Sequence, residues 1–160
     1  MTNPVSASSR APAPPDPRFE SRIRESFGRQ PAMTTIGARL VRVAAGEVEI
    51  EMPFSAHITQ QHGFIHGGIL GTALDSACGF ASLTLMPAES GILTIEYKLN
   101  LIAPGRGERF RFIGRVRKAG RTITLADADA IAIEASGRER LVATMTATEM
   151  TITGRDDVRS

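Results

Sequence analysis

The stretch His66-Gly67-Gly68-Ile69-Leu70-Gly71-Thr72-Ala73-Leu74-Asp75-Ser76-Ala77-Cys78-Gly79-Phe80-Ala81-Ser82-Leu83-Thr84-Leu85-Met86 decides the fold. Leu70, Leu74, Ala77, Cys78, Ala81 and Leu85 recur at helical spacing on one stripe, and Pro87 closes the segment, since proline cannot continue a helix. At about 100° per residue, Asp75 falls in a row with Gly68, Thr72, Gly79 and Ser82, all small. The segment therefore reads as a buried helix. Its one acid, alone between Glu51 and Glu89, stands on a groove that something arriving from outside can reach.

On both sides of this helix the period drops to two. Upstream, Val48, Ile50, Met52 and Phe54 alternate with Glu47, Glu49 and Glu51, the pattern of a strand buried on one face. Ala45-Gly46 makes a hairpin turn from an earlier strand expected around 36–43. Downstream, strands are expected over 92–102, 109–118, 122–134 and 141–153, with turns at Pro104-Gly105, Ala119-Gly120 and Ser136-Gly137. A short helix over 19–30 carries Phe19, Ile23 and Phe27 on one face, with Gly28 and Pro31 expected to end it. One buried helix among half-wet strands gives an α+β class, an antiparallel sheet of five to six strands wrapped around one long central helix. Open sheet edges favour completion by a second subunit.

Composition narrows the function. The 160 residues suit one domain, expected over 18–154 between a Pro/Ala/Ser-rich tail (1–17) and a short tail (155–160), both expected to be disordered. A net charge of +2 argues against a nucleic-acid binder that relies on bulk charge. No apolar run approaches the roughly 20 residues of a membrane span, and the first residues lack the apolar core of a secretory signal. Cys78 is the single cysteine, so no internal disulfide is possible, and a cytoplasmic setting is expected.

The chemistry concentrates between Gln60 and Asp75. His66-Gly67-Gly68 opens the helix, where backbone N–H groups lack intrahelical partners and the dipole is positive. Glycine lets a ligand approach closely, so these amides suit a developing oxyanion. Gln60 is a neutral donor just upstream, and Asp75 a candidate base or nucleophile. Against this stand simpler readings: a Gly-Gly pair is a common loop, a lone helical Asp is more often solvated or paired, and His66 can simply cap or pack. His57, His62 and His66 have no companion cysteine and no HExxH spacing, so no metal or other cofactor is implied. Neither GxSxG nor GxxxxGK[ST] occurs, which disfavours a nucleophile-elbow hydrolase and a P-loop enzyme.

Taken together, His66-Gly67-Gly68, Asp75, Gly79, Leu93-Thr94, Asn100 before Pro104 and Gly107, and Gly114-Arg115-Val116 followed by Gly120-Arg121 form a joint pattern from about Met33 to Met150. This pattern resembles the PaaI-like (phenylacetic acid degradation type) hotdog-fold acyl-CoA thioesterases. The resemblance implies a homodimer or homotetramer with the active site at the dimer interface, and hydrolysis of a medium-chain or aryl acyl-CoA to free acid and CoA. It implies catalytic roles for Asp75, Gly67, Gln60, His66 and Thr94, with Gly68 beside them in substrate binding. Gly79 stands where some relatives carry a Thr or Ser that orients water, so Thr94 would take that part.

Within residues 106–121, Lys118 and Arg121 are the preferred contacts for CoA phosphates. The other arginines are expected to form a solvated strand face paired with neighbours such as Asp127 and Asp129. The expected partners are thus the acyl-CoA substrate and further copies of the chain, with no nucleic acid and no membrane. Two alternatives remain open: a hotdog hydratase/dehydratase, disfavoured by the spacing of Asp75 from His66, and a non-catalytic acyl-CoA-binding module, disfavoured by Asp75 itself.

Overall fold

The computed structural model describes residues 13–158. In chain order it contains helices α1 (Phe19–Gly28) and α2 (Pro31–Thr35), strands β1 (Arg39–Ala44) and β2 (Glu47–Pro53), a 3-10 turn (Ala56–Ile58) and the long helix α3 (Gly67–Leu83). Strands β3 (Gly91–Leu101), β4 (Arg109–Lys118), β5 (Ile123–Ile133) and β6 (Glu139–Ile152) follow. The six strands form one antiparallel sheet in the order β1-β2-β4-β5-β6-β3, and α3 packs against it. This is the α+β arrangement that the alternating and helical periods predict.

The sheet can approach α3 closely because its inner face is small. Ala126, Ala128, Ala130 and Ala132 occupy every second position of β5 and are all buried, as are Ala143 and Ala147 of β6. On β4 the inward residue nearest the helix is Gly114, where a Cβ would sit 2.1 Å from the Ala77 carbonyl oxygen. Only glycine lets helix backbone and strand backbone touch there. Larger side chains fill the flanks: Val48, Ile50 and Met52 from β2, Phe110 and Phe112 from β4, Leu70 and Leu74 from α3.

The N-terminal helices differ from the sequence expectation at Pro31. Gly28 ends α1 as expected, but Pro31 starts α2 rather than only stopping its predecessor. Proline suits the first helical position, where its missing N–H costs no hydrogen bond. Ile36 is consequently the C-cap of α2, and β1 begins at Arg39 instead of near residue 36. Phe27 meets Phe80 at 5.5 Å between ring centroids, which docks α1 on α3. The Arg22 guanidinium donates to the carbonyls of Leu83 and Met86 at 3.1 and 2.9 Å, tying α1 to the last residue of α3 and to the turn that follows it. Its charge is balanced by Asp16 at 3.0 Å.

Of the two expected tails, residues 1–12 and 159–160 lie outside the described residues. The sequence also assigns 13–17 to the first tail, and there Asp16 is buried against Arg22.

Strict alternation fails in β3. A bulge between Thr94 and Glu96 breaks the register with β6. Thr94 opposes Glu149, while Tyr97 and Leu99 oppose the buried Ala147 and Met145, so these three share the inner side. Glu96, Lys98 and Asn100 oppose Thr148, Thr146 and Thr144 on the outer side. Uniform alternation puts Thr94 with Glu96; the extra residue at the bulge turns it inward. β3 is also a sheet edge, and Leu93, Ile95, Tyr97 and Leu101 are 48 to 58% exposed along it.

Candidate active site

His66 is the N-cap of α3, and its Nδ1 accepts a hydrogen bond from the Gly68 N–H at 2.9 Å. The proton of the neutral ring therefore resides on Nε2. This bond has a consequence for the oxyanion reading: the Gly68 amide is already engaged. The Gly67 amide, by contrast, has no partner among the described residues. Of the two glycine amides proposed from sequence, the structure leaves Gly67 available.

Gly67 lines a cavity of about 360 Å³ together with Gln60, Phe64, Leu101 and Gly105. The Gln60 side-chain oxygen accepts from the His62 amide, so what remains for a ligand is its NH2 donor. Arg106 stacks over Phe64 at 4.8 Å from the ring centroid, at the border of this cavity. It is the member of the basic 106–121 segment whose stacking partner lines this cavity.

Asp75 lies two turns further along α3, in a second cavity of about 170 Å³ walled by Gln30, Gly79, Phe80, Thr94 and Glu149. The inward turn of Thr94 lets its hydroxyl donate to Asp75 Oδ1 at 2.9 Å. Burial pushes the Asp75 carboxyl above its ordinary value, against the lowering effect of that hydrogen bond. A carboxylate with a raised pKa is a stronger base toward water than an exposed one. Of the small-residue row read from sequence, Gly68, Thr72, Asp75 and Gly79 are at least partly open, whereas Ser82 is fully buried.

Sequence reasoning did not single out Glu149. It is fully buried, and neither carboxyl oxygen has a hydrogen-bond partner among the described residues. Burial, first, and the neighbouring Asp75 charge push its pKa up to about 7, although the Thr94 hydroxyl lowers it. The signal was present in the strand pattern: Met145, Ala147 and Glu149 share one parity, so the acid falls on the apolar face.

The sequence-predicted residues thus divide into two groups within one chain. Gln60, His66 and Gly67 stand together, and Thr94 stands with Asp75. Eight positions of α-helix separate Gly67 from Asp75, about 12 Å at 1.5 Å per residue. Lys118 and Arg121 are exposed at the β4–β5 connection and line neither cavity. The expected bland role of the other β4 arginines is seen directly: Arg115 pairs with Glu47 and Asp129, Arg117 with Asp127, Arg111 with Glu139, and Arg109 approaches Glu51.

A six-stranded antiparallel sheet around one long helix, with an orphan amide at the helix start and an acid at its middle, defines a hotdog-fold protein of the thioesterase class. Residues 62–137 match the family described as the thioesterase superfamily. A thioesterase family protein from Silicibacter pomeroyi is 50% identical, with a TM-score of 0.83 over 85% of this chain and 99% of that one. The E. coli PaaI protein from the phenylacetic acid degradation operon shares the fold, with a TM-score of 0.75 at 17% identity, covering 86% and 95% of the two chains. A protein of Saccharolobus solfataricus with an esterase name is 28% identical over 92 residues, 58% of this chain and 65% of its own length.

The chain belongs to the thioesterase superfamily, with the PaaI-like hotdog fold. Relatives named thioesterase or esterase support a hydrolase. Among the described residues, no helix is long and apolar enough to cross a membrane.

Proposed function

We propose that the protein is a cytoplasmic acyl-CoA thioesterase that works as a homo-oligomer, each active site built from two copies of the chain. The observation that carries this reading is the division of the chemistry along α3: one helix bears both a free oxyanion-type amide and a hydrogen-bonded acid, too far apart to meet at one carbonyl. A two-fold axis brings the Gly67 end of one copy to the Asp75 end of the other, which makes two complete sites. The exposed apolar edge of β3 supports the same pairing, because an uncovered eleven-residue edge strand is a template for another chain.

In such a site the Gly67 N–H and the Gln60 amide hold the thioester oxygen as it gains charge. Asp75 removes a proton from water, whose oxygen adds to the carbonyl carbon. Collapse of the tetrahedral adduct breaks the C–S bond, and the proton held by Asp75 neutralises the departing CoA thiolate. Direct attack by Asp75 to give an anhydride, opened by water in a second step, balances equally and uses the same groups. Thr94 fixes Asp75, and His66 holds the Gly68 amide and with it the shape of the helix start. A medium-chain or aryl acyl group would enter the cavity walled by Phe80, Ile92 and Leu93. Lys118, Arg121 and Arg106 are the candidates for the CoA phosphates.

The test is a panel of acyl-CoAs, short-chain to long-chain and aryl, assayed for free thiol with wild type and Asp75→Asn. Turnover in the variant is expected to fall on the order of 10³-fold while acyl-CoA binding persists. Equal turnover in both proteins removes Asp75 from the chemistry. Enone formation from a 3-hydroxyacyl-CoA without thiol release replaces the hydrolase by a dehydratase, and binding without either reaction replaces it by a binding module.

A further inference from the structure

Glu149 is the buried titratable group that the mechanism above does not use. It lies on β6 in direct register with Thr94 of β3 on one side and Thr124 of β5 on the other, so three polar side chains stand in a row on the inner face. Thr124 is buried with it. Facing it from α3 are Asp75 and the Cys78 thiol, and Gln30 closes the cavity from the α1–α2 connection. No guanidinium or ammonium group pairs with it among the described residues. A bare carboxylate in such a place has nothing to compensate its charge, whereas a neutral acid needs only an acceptor. Its cross-strand partner Thr94 carries one: the hydroxyl hydrogen already goes to Asp75 Oδ1 and the oxygen lone pairs remain, while neither Glu149 oxygen makes a hydrogen bond among the described residues.

We infer, on the basis of the hydrolase reading, that Glu149 is a positioning residue for Asp75: as the neutral acid it donates to the Thr94 hydroxyl oxygen, and the Thr94 hydroxyl in turn donates to Asp75 Oδ1. The chain Glu149–Thr94–Asp75 then carries all its hydrogens in one direction. It anchors Oδ1 and leaves Oδ2 as the oxygen that meets water or substrate. It also keeps one negative charge in the cavity instead of two. Hydrogen bonds in series reinforce one another, so the outer donor strengthens the inner bond. When Glu149 ionises, with a pKa lifted by burial to about 7, it becomes a second acceptor for the Thr94 hydrogen and competes with Asp75 for it.

The experiment compares wild type, Glu149→Gln and Glu149→Met. Gln keeps an N–H donor and cannot ionise; Met keeps the volume and offers neither. Two readouts are taken: the pH profiles of kcat and KM on the acyl-CoA that the panel shows to be turned over fastest, and the titration of the Asp75 carboxyl carbon by NMR.

In wild type kcat is expected to fall about tenfold as pH rises from about 6 to about 8, through the ionisation of Glu149. Glu149→Gln is expected to stay within about threefold of wild type at the lower pH and to lose that fall. Glu149→Met is expected to lose about tenfold in kcat, with KM nearly unchanged, and to titrate Asp75 at higher pH than Glu149→Gln does.

Identical Asp75 titrations in the Gln and Met variants overturn the inference, as does a fall above neutral pH that persists in Glu149→Gln. If wild type cleaves no CoA ester, the hydrolase reading fails by itself. The Asp75 titration still decides the hydrogen-bond chain in that case. If Glu149→Met does not fold, the wild-type and Glu149→Gln profiles settle the question.

Discussion

On the outer face of the sheet, Glu47, Glu49 and Glu51 of β2 stand against Arg115, Arg111 and Arg109 of β4 at 3.0 to 3.7 Å, and Asp129 and Asp127 of β5 stand against Arg115 and Arg117. On the inner face Asp75 and Glu149 share one cavity with two neutral donors, Thr94 and Gln30. The outer acids stand against arginines and water, and each such pair contributes little to stability. The inner acids are desolvated and unpaired, so burial changes their proton affinity instead. Residues of one chemical kind are thus solvated and paired on one side and desolvated on the other, according to which parity of the strand or side of the helix they occupy.

Replacing one acid from each face is the most severe test of this contrast. Asp75→Asn should lose on the order of 10³ in turnover, about 4 kcal/mol of transition-state stabilisation. Asp129→Asn should stay near wild type in the same thiol-release assay. Asp75→Asn should also be the more stable protein at neutral pH, since a group whose folded pKa is raised opposes folding once ionised.

A smaller effect is expected for Glu149→Gln measured by urea denaturation. The folded pKa of Glu149 is raised from 4.5 to about 7. Between these values the folded state holds a proton that the unfolded chain has released, so wild-type stability falls with rising pH across that window and levels off above it. The Gln variant should therefore gain about 3 kcal/mol on wild type above the window, with the gain vanishing below it. A constant difference at all pH values contradicts the unpaired acid.

Thr94→Val comes next. Removing the hydroxyl that anchors Asp75 should cost about tenfold in kcat, the worth of one hydrogen bond to a charged group, and should raise the Asp75 pKa. The smallest effect is expected for Arg115→Met on the outer face: less than about 1 kcal/mol of stability, shrinking further in high salt, with turnover unchanged.

The contrast was only half legible in the sequence. The long helix, the β1–β2 hairpin at Gly46 and the bounds of β4 follow from periodicity and turn residues, because one buried face leaves a clear pattern. Asp75 stood out as an isolated acid in an apolar helix. Thr94 was named through family resemblance, since plain alternation sends it to the outer face and a one-residue bulge leaves no compositional mark. Glu149 shared the parity of Met145 and Ala147, but parity alone does not reveal that no cation faces it. Engagement of the Gly68 amide by His66 depends on a side-chain rotamer that no spacing encodes. Pro31 was read as a terminator because the same residue that stops one helix also opens the next.

The bulge in β3 has one further consequence, for inherited variation. Substitutions along this strand change one side chain each, and several of those side chains face solvent. Loss of the single codon for Ile95 would remove the surplus residue and restore even alternation, with Thr94 directly before Glu96 and so still on the inner side, opposite Glu149. The chain would keep every polar group of the cavity, and the acid on α3 would keep its anchor. The strand can therefore shed its one irregular position without being turned over.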